Sequence, residues 1–331
     1  MGPSDFSVAR PLPAISIVIC TYNRPDLVAQ VLATLAEQDA PRDSYEVLVI
    51  DNASPQDIAG VVASFDGRIP GLRCIREGQV GLSYARNRGW REARGEYVGY
   101  VDDDCKLPTE WVSTALEVIR DVHPIMFGGP YRAFYMTPRP RWYRDEYGSE
   151  QIGDEAGPLP PTEYVTGMNM VVSRDTLATA GGFDPALGMT GARLGYGEET
   201  ELQIRLRRLH GESAIWYEPA LYVYHLVRPE KINLLWMARR RYDGGYYSET
   251  ISPAVTDRES GPGWFWVDCL RTGFALLWDA ARGAGRWDRS QWRYYQNYLC
   301  EHAFRHLDGL GRRAASRSKA ARDALQTNAI R

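Results

Sequence analysis

The feature that most constrains this chain is an alternation in its first hundred residues, where short apolar runs are separated by amphipathic helical stretches. Ile15 to Cys20 (ISIVIC), Glu46 to Ile50, Gly71 to Ile75 and Tyr97 to Val101 read as strands. Helical patterns open between them at Pro25, Pro55 and Leu82, and the first places Leu27, Val31, Leu32 and Leu35 on one face. Strands that are apolar on both faces and alternate with helices predict a parallel sheet covered on both sides. Right-handed crossovers then gather the loops that follow the strands on one rim, where such sheets bind ligands. The polar residues of that rim are Thr21-Tyr22-Asn23-Arg24, Asp51-Asn52, Arg76-Glu77 and Asp102-Asp103-Asp104.

Beyond Trp111 the pattern is mixed. A helix to Arg120 precedes a strand near Ile125 to Gly129. The segment from Thr137 to Thr162, rich in Pro, Gly and charge, has the length of a functional or disordered loop. Tyr164 to Val172 is β-like, and Gly188, Gly191, Gly195 and Gly197 approach a helix expected over Glu198 to His210. Short strands are expected near Ala214 to Trp216 and Leu221 to Tyr224. From Pro229 onward the chain reads as helical with interleaved aromatics and arginines, with later helices over Gly263 to Arg282 and Ser290 to Leu307 and a polar, frayed tail after Gly311. The expected divisions are a flexible 1–12, a catalytic domain 13–228, a helical region 229–312 and a flexible tail 313–331.

Composition excludes several classes. A net charge of −3 gives no electrostatic case for a nucleic-acid partner. The five cysteines are scattered and form no CxxC pair, so neither a zinc site nor a disulfide framework is indicated. The N-terminus lacks the apolar core of a signal peptide. The most apolar late stretch, Trp264 to Ala280, is interrupted by Asp268, Arg271 and Asp279 and cannot span a bilayer. A cytoplasmic setting is expected. GxGxxG, GxxxxGK[ST] and GxSxG motifs are all missing, which removes dinucleotide-binding dehydrogenases, P-loop NTPases and nucleophile-elbow hydrolases.

Four features carry chemistry. Three carboxylates directly after a buried strand repel one another unless a cation compensates them, and Mg²⁺ or Mn²⁺ takes such oxygen ligands together with substrate phosphates. The plainer reading is an acidic loop capping the helix near Pro108. Asp51 is either a turn residue, with Asn52, Ser54 and Pro55, or an acceptor for a base or ribose group; the two readings are compatible. Glu198 and Glu199 suit the positive end of a helix, and one of them can also serve as a general base. His225, ending the run LYVYH, is either a hydrogen-bonded core residue or a second metal ligand.

In order, SIVICTYNRP, EVLVIDNAS, GLSYARNRG, YVGYVDDDC, VTGMNMVVSR, GGFD, GEETELQIRLRR and VYH resemble the motifs of glycosyltransferase family 2 over about Pro13 to Arg228. Glu199 stands where that family commonly has aspartate. The resemblance implies the α/β GT-A fold with a C-terminal helical extension, and inverting transfer of one sugar from a nucleotide-diphosphate donor. It implies that Thr21, Tyr22, Asn23 and Arg24 line the nucleotide pocket and that Asp51 contacts the base, typically uracil. Arg86 and Asn87 would hold the nucleotide or diphosphate, and Asp102 and Asp103 would lie on the donor side. Asp104 and His225 would bind Mn²⁺ or Mg²⁺, and Gly167 and Asn169 would border sugar and acceptor. Glu199 would be the base, with Glu198 contacting the acceptor or orienting the loop. The acceptor would be a glycan, a lipid-linked sugar or a small molecule. Processive relatives carry QxxRW and membrane spans, and Gln291-Trp292-Arg293 lacks that spacing. The competing readings are a sugar nucleotidyltransferase, whose GxGxRxxP loop this chain lacks, and a non-catalytic sugar-nucleotide scaffold. The helices after Pro229 are expected to pack on the catalytic domain; the alternative is a membrane-surface or partner-binding face. Arg239 to Arg241 are within the set that could reach donor phosphates.

Overall fold

The computed structural model describes residues 12–189, 197–251, 264–285 and 287–329, in two compact units. Unit 1 comprises Met1–Ala133 and Ser149–Leu226; unit 2 comprises Phe134–Gly148 and Val227–Arg331. The long Pro- and Gly-rich segment read as one loop is therefore divided between them.

Unit 1 opens with β1 (Ile15–Thr21), α1 (Pro25–Leu35), β2 (Tyr45–Asp51), α2 (Ile58–Ala63), β3 (Arg73–Arg76), α3 (Leu82–Glu92) and β4 (Tyr97–Asp102). It continues with β5 (Cys105–Lys106), α4 (Trp111–Asp121), β6 (Met126–Gly128), β7 (Tyr131–Phe134), β8 (Gly157–Pro158) and β9 (Asn169–Ser173). It closes with α5 (Arg174–Ala180), α6 (Glu198–His210), β10 (Ile215–Tyr217) and β11 (Val223–Leu226). Proline at the first helical position starts α1. The second helix begins later than Pro55 because Asp57 caps it, accepting from the Gly60 amide at 2.8 Å.

The main sheet runs β3-β2-β1-β4-β9-β6-β10-β8. Its first four strands are parallel, as their flanking helices predict. The later strand β9, read from the sequence only as β-like, lies antiparallel to both β4 and β6. A strand buried on both faces reads as an apolar run whichever way it points, so its direction is not in its pattern. Alternate residues of β1 feed two cores: Ile15, Ile17 and Ile19 pack with α1, α2 and α4, while Val18 packs with Ala85 of α3, Leu177 of α5 and Leu202 of α6. Each buried branched side chain contributes about 1.5–3 kcal/mol, which fixes the register and with it the height of every loop on the rim. A second sheet, β5-β11-β7, adjoins the end of β4.

Unit 2 contains α7 (Leu234–Ile251), α8 (Trp264–Gly283), α9 (Tyr295–Tyr298), a π-helical turn at Leu299–Ala303 and α10 (Arg305–Ala329). The helix expected over Ser290 to Leu307 is thus split by the π turn. The segment expected to fray after Gly311 instead continues α10, whose Asp308 and Arg312 pair at 3.0 Å four residues apart. Gly245 and Gly311 leave no room for side chains between α7 and α10, so these two helices cross closely. No helix among the described residues is long and apolar enough to cross a membrane, and the five cysteines are free.

Candidate active site

The rim of the parallel strands assembles from register. Thr21 lies beside Asp51, Asp51 beside Arg76, and Cys20 beside Asp102. Asp103 is buried and accepts from the Thr21 hydroxyl at 2.7 Å and from Arg24 at 2.9 Å. Arg24 also stands 3.8 Å from Asp104. Burial raises the Asp103 carboxyl, with Arg24 opposing the rise. Asp103 is therefore a brace that ties the loop after β1 to the end of β4.

Asp102 points otherwise. Its side chain is about a third exposed, yet enough protein surrounds it that loss of water leads in pushing it up to about 6. Arg86 opposes that rise; the charges of Asp104, Asp103 and Glu199 add to it. Asp104 is buried, and its Oδ1 lies 3.6 Å from His225 Nε2. The small sheet makes this approach: His225 pairs with Cys105, and the Leu226 amide donates to the Asp104 carbonyl at 2.9 Å.

Asp51 fills the turn role, and its second oxygen meets an arginine. One oxygen accepts from the Ser54 amide at 2.9 Å, as a turn residue does, and the other accepts from Arg76 at 2.6 Å. Arg76 was named in the sequence only as a rim residue. Its place at the end of β3, in register with Asp51, was the signal for the pair. Tyr22 is exposed, and Asn23 takes a left-handed conformation (φ 59°) with its amide donating to Ser54 Oγ.

A second acidic cluster lies at the start of α6, which Gly197 opens with φ 98° and without a side-chain cap. Glu198 is buried and bound to Arg86 at 2.5 Å. Burial and the Glu199 charge raise its pKa, against Arg86. Burial alone would weaken the Arg86 charge, but Glu198, Asp102 and Glu199 outweigh it and hold the guanidinium well above its ordinary value. The same guanidinium stands 3.7 Å from Asp102, so one arginine spans both clusters. Glu199 is half-buried, and its Oε2 is buried with no hydrogen-bond partner among the described residues. Gly188 packs against Glu198 and Ser83, while Gly191 and Gly195 lie outside the described residues.

Two of the expected donor and acceptor residues, Asn87 and Asn169, bind protein groups instead. Asn87 spends its amide on the Phe183 backbone, donating to the carbonyl at 2.7 Å and accepting from the amide at 2.9 Å. Asn169 is 0% exposed; it accepts from Trp111 Nε1 at 2.9 Å and donates to the Leu221 and Pro130 carbonyls. Both asparagines tie separate segments of unit 1 together. Gly167 packs against Arg86: a Cβ there would collide with the guanidinium.

The residues that would hold a divalent cation fit in part. Among the described residues no three His, Cys, Asp or Glu side chains form a ready cage. Two ligand atoms each about 2.1 Å from a cation can be separated by up to about 4.2 Å, so the Asp104–His225 spacing of 3.6 Å is compatible with a shared ion. Hard cations that draw further ligands from substrate phosphates need no more from the protein.

Residues 16–179 match the model of glycosyl transferase family 2. Those residues form a family 2 glycosyltransferase domain. The chain is 29% identical over 239 residues to the succinoglycan biosynthesis protein ExoM of Rhizobium meliloti, covering 70% of this chain and 72% of that protein. Its fold is similar to that of Staphylococcus aureus TarS 1-349 in complex with UDP-GlcNAc, with a TM-score of 0.53 and 15% identity over 90% of each chain. It is also similar to the mannosyltransferase PcManGT from Pyrobaculum calidifontis in complex with GDP-Man and Mn²⁺, with a TM-score of 0.54 and 19% identity over 97% of this chain and 81% of that one. The fold is GT-A, and the enzyme is a glycosyltransferase.

Proposed function

We propose that this enzyme moves a single sugar, with inversion, from a UDP-sugar to an acceptor hydroxyl. The observation that carries the reading is Arg86, whose guanidinium lies within 3.7 Å of Asp102 and 2.5 Å of Glu198 and so joins two acidic clusters into one site. Thr21, Tyr22, Asn23, Arg24 and Asp51 form the nucleotide wall, and Asp102 faces the ribose or sugar. Asp104 and His225 hold Mn²⁺ or Mg²⁺, which when bound neutralises charge on the departing diphosphate. Glu199 accepts the proton of the acceptor hydroxyl as its oxygen bonds to the anomeric carbon. The bond from that carbon to the diphosphate oxygen breaks on the opposite face, and the electron pair leaves with the nucleoside diphosphate. Glu198, held by Arg86, positions the start of α6 and takes no proton in the reaction. The Oε2 of Glu199, buried without a hydrogen-bond partner among the described residues, supports assigning the base to Glu199 rather than Glu198.

The test is calorimetric titration of UDP and GDP with and without Mn²⁺, paired with anomeric analysis of the product by NMR. UDP affinity that rises with Mn²⁺ in the wild type and not in Asp104→Ala, together with an inverted anomer, is the expected result. A retained anomer, or metal-independent nucleotide affinity, overturns the reading.

A further inference from the structure

The outward face of α8 is unlike any other surface of unit 2. Leu270 is 74% exposed, Phe274 68%, Leu277 69% and Trp278 56%, and Trp266 and Val267 continue the exposed row. At 100° per residue these positions fall within about a third of the helix circumference, so they form one stripe. Phe274 and Trp278 stack on each other along it, with ring centroids 6.1 Å apart. Large contiguous apolar surface of this kind marks an interaction site.

Charge distribution on the same helix indicates what covers the stripe. α8 carries four charged residues: Asp268, Arg271, Asp279 and Arg282. The two carboxylates are turned inward and engaged, Asp268 with Arg313 at 3.9 Å and Asp279 with His306 at 2.8 Å and Arg305 at 3.4 Å. Arg271 and Arg282 are exposed and lie together along one edge of the apolar row. The opposite face is closed by its own unit: Arg313 donates to Thr272, and Tyr298 donates to the Asp279 carbonyl at 2.9 Å.

We propose that this face of α8 docks in the headgroup region of an anionic lipid bilayer. A helix with an aromatic and aliphatic face edged only by arginine lies in such an interface, its apolar side in the acyl boundary and its cations on lipid phosphates. The inward aspartates and the helix composition rule out insertion across the bilayer. A second copy of the chain is a poor match, because a two-fold contact would set the arginine edges near one another with no exposed α8 carboxylate to answer them. The proposal does not rest on the transfer chemistry assigned to unit 1.

Co-sedimentation of the full chain with vesicles tests it. We expect binding to equimolar phosphatidylcholine–phosphatidylglycerol vesicles, weaker binding to phosphatidylcholine alone, and loss of the difference as salt rises. Leu270→Gln/Phe274→Gln/Leu277→Gln should weaken binding at least ~10-fold with an unchanged thermal melt, because these side chains make little of the folded core. Arg271→Gln and Arg282→Gln should each cost about fivefold on the anionic vesicles only. Should the triple variant prove misfolded, Leu270→Gln alone should still reduce binding several-fold. Failure to bind anionic vesicles, or equal binding by the folded apolar variants, overturns the proposal. Light scattering that shows a dimer split by the triple variant, without vesicle binding, assigns the face to a second copy and overturns it equally.

Discussion

The two acidic clusters of unit 1 solve one problem in different ways. At the end of β4 three aspartates meet a partly exposed arginine, Arg24, which pairs with Asp103. At the start of α6 two glutamates meet a buried arginine, Arg86, which pairs with Glu198. Each arginine pairs with one buried carboxylate of its cluster, and the proposed chemistry falls to a neighbour of that pair. The neighbours differ in setting: Asp104, the proposed cation ligand, lies 3.6 Å from His225, whereas Glu199, the proposed base, stands half-buried at the start of α6. In the proposed reaction adjacent acids of the same type hold separate roles because an arginine engages one of each set.

Removing the working member of each cluster should have the largest effects. Asp104→Ala is expected to lower sugar transfer by ~10³-fold or more, as a Lewis acid on a leaving group is worth several kcal/mol; nucleoside diphosphate release measures it, and excess Mn²⁺ should restore little. Glu199→Gln should lower kcat by ~10²–10⁴-fold with donor affinity unchanged in calorimetry. Equal losses of kcat and donor affinity would dissolve the division between cation and base.

The braces should act on stability. Arg86→Met leaves Glu198 buried without its partner and should cost about 3–5 kcal/mol in urea unfolding, much of it regained in Arg86→Met/Glu198→Met. Arg24→Gln should cost only about 1–2 kcal/mol, because water reaches that guanidinium and Thr21 still donates to Asp103. A cost for Arg24 equal to that for Arg86 would show that burial is not what separates the two.

The strand-and-helix alternation made the parallel half of the sheet legible, because Ile15 to Cys20 and its counterparts are apolar on both faces and end in polar rim residues. The rim acids were legible for the same reason. The partners of the asparagines were not: Asn87 sits among polar residues and Asn169 in an apolar run, and nothing local tells whether an amide meets a ligand or a carbonyl 52 residues away, as Asn169 does with Leu221. The Arg86–Glu198 pair spans 112 residues and has no local signature at all. In unit 2, periodicity located the helices, but it carries no mark of the π turn at Leu299–Ala303 that interrupts the expected helix.

The pairing of β5 with β11 has a consequence for the order of biosynthesis. His225 leaves the ribosome more than a hundred residues after Asp104, an interval of roughly 6–25 s at ordinary elongation rates. Throughout that time the nascent polypeptide displays its aspartate triplet without the imidazole beside it. Glu198 likewise arrives long after Arg86. A chain interrupted before Leu226 can complete the first four strands, yet it emerges without the partners that turn their edge into a site.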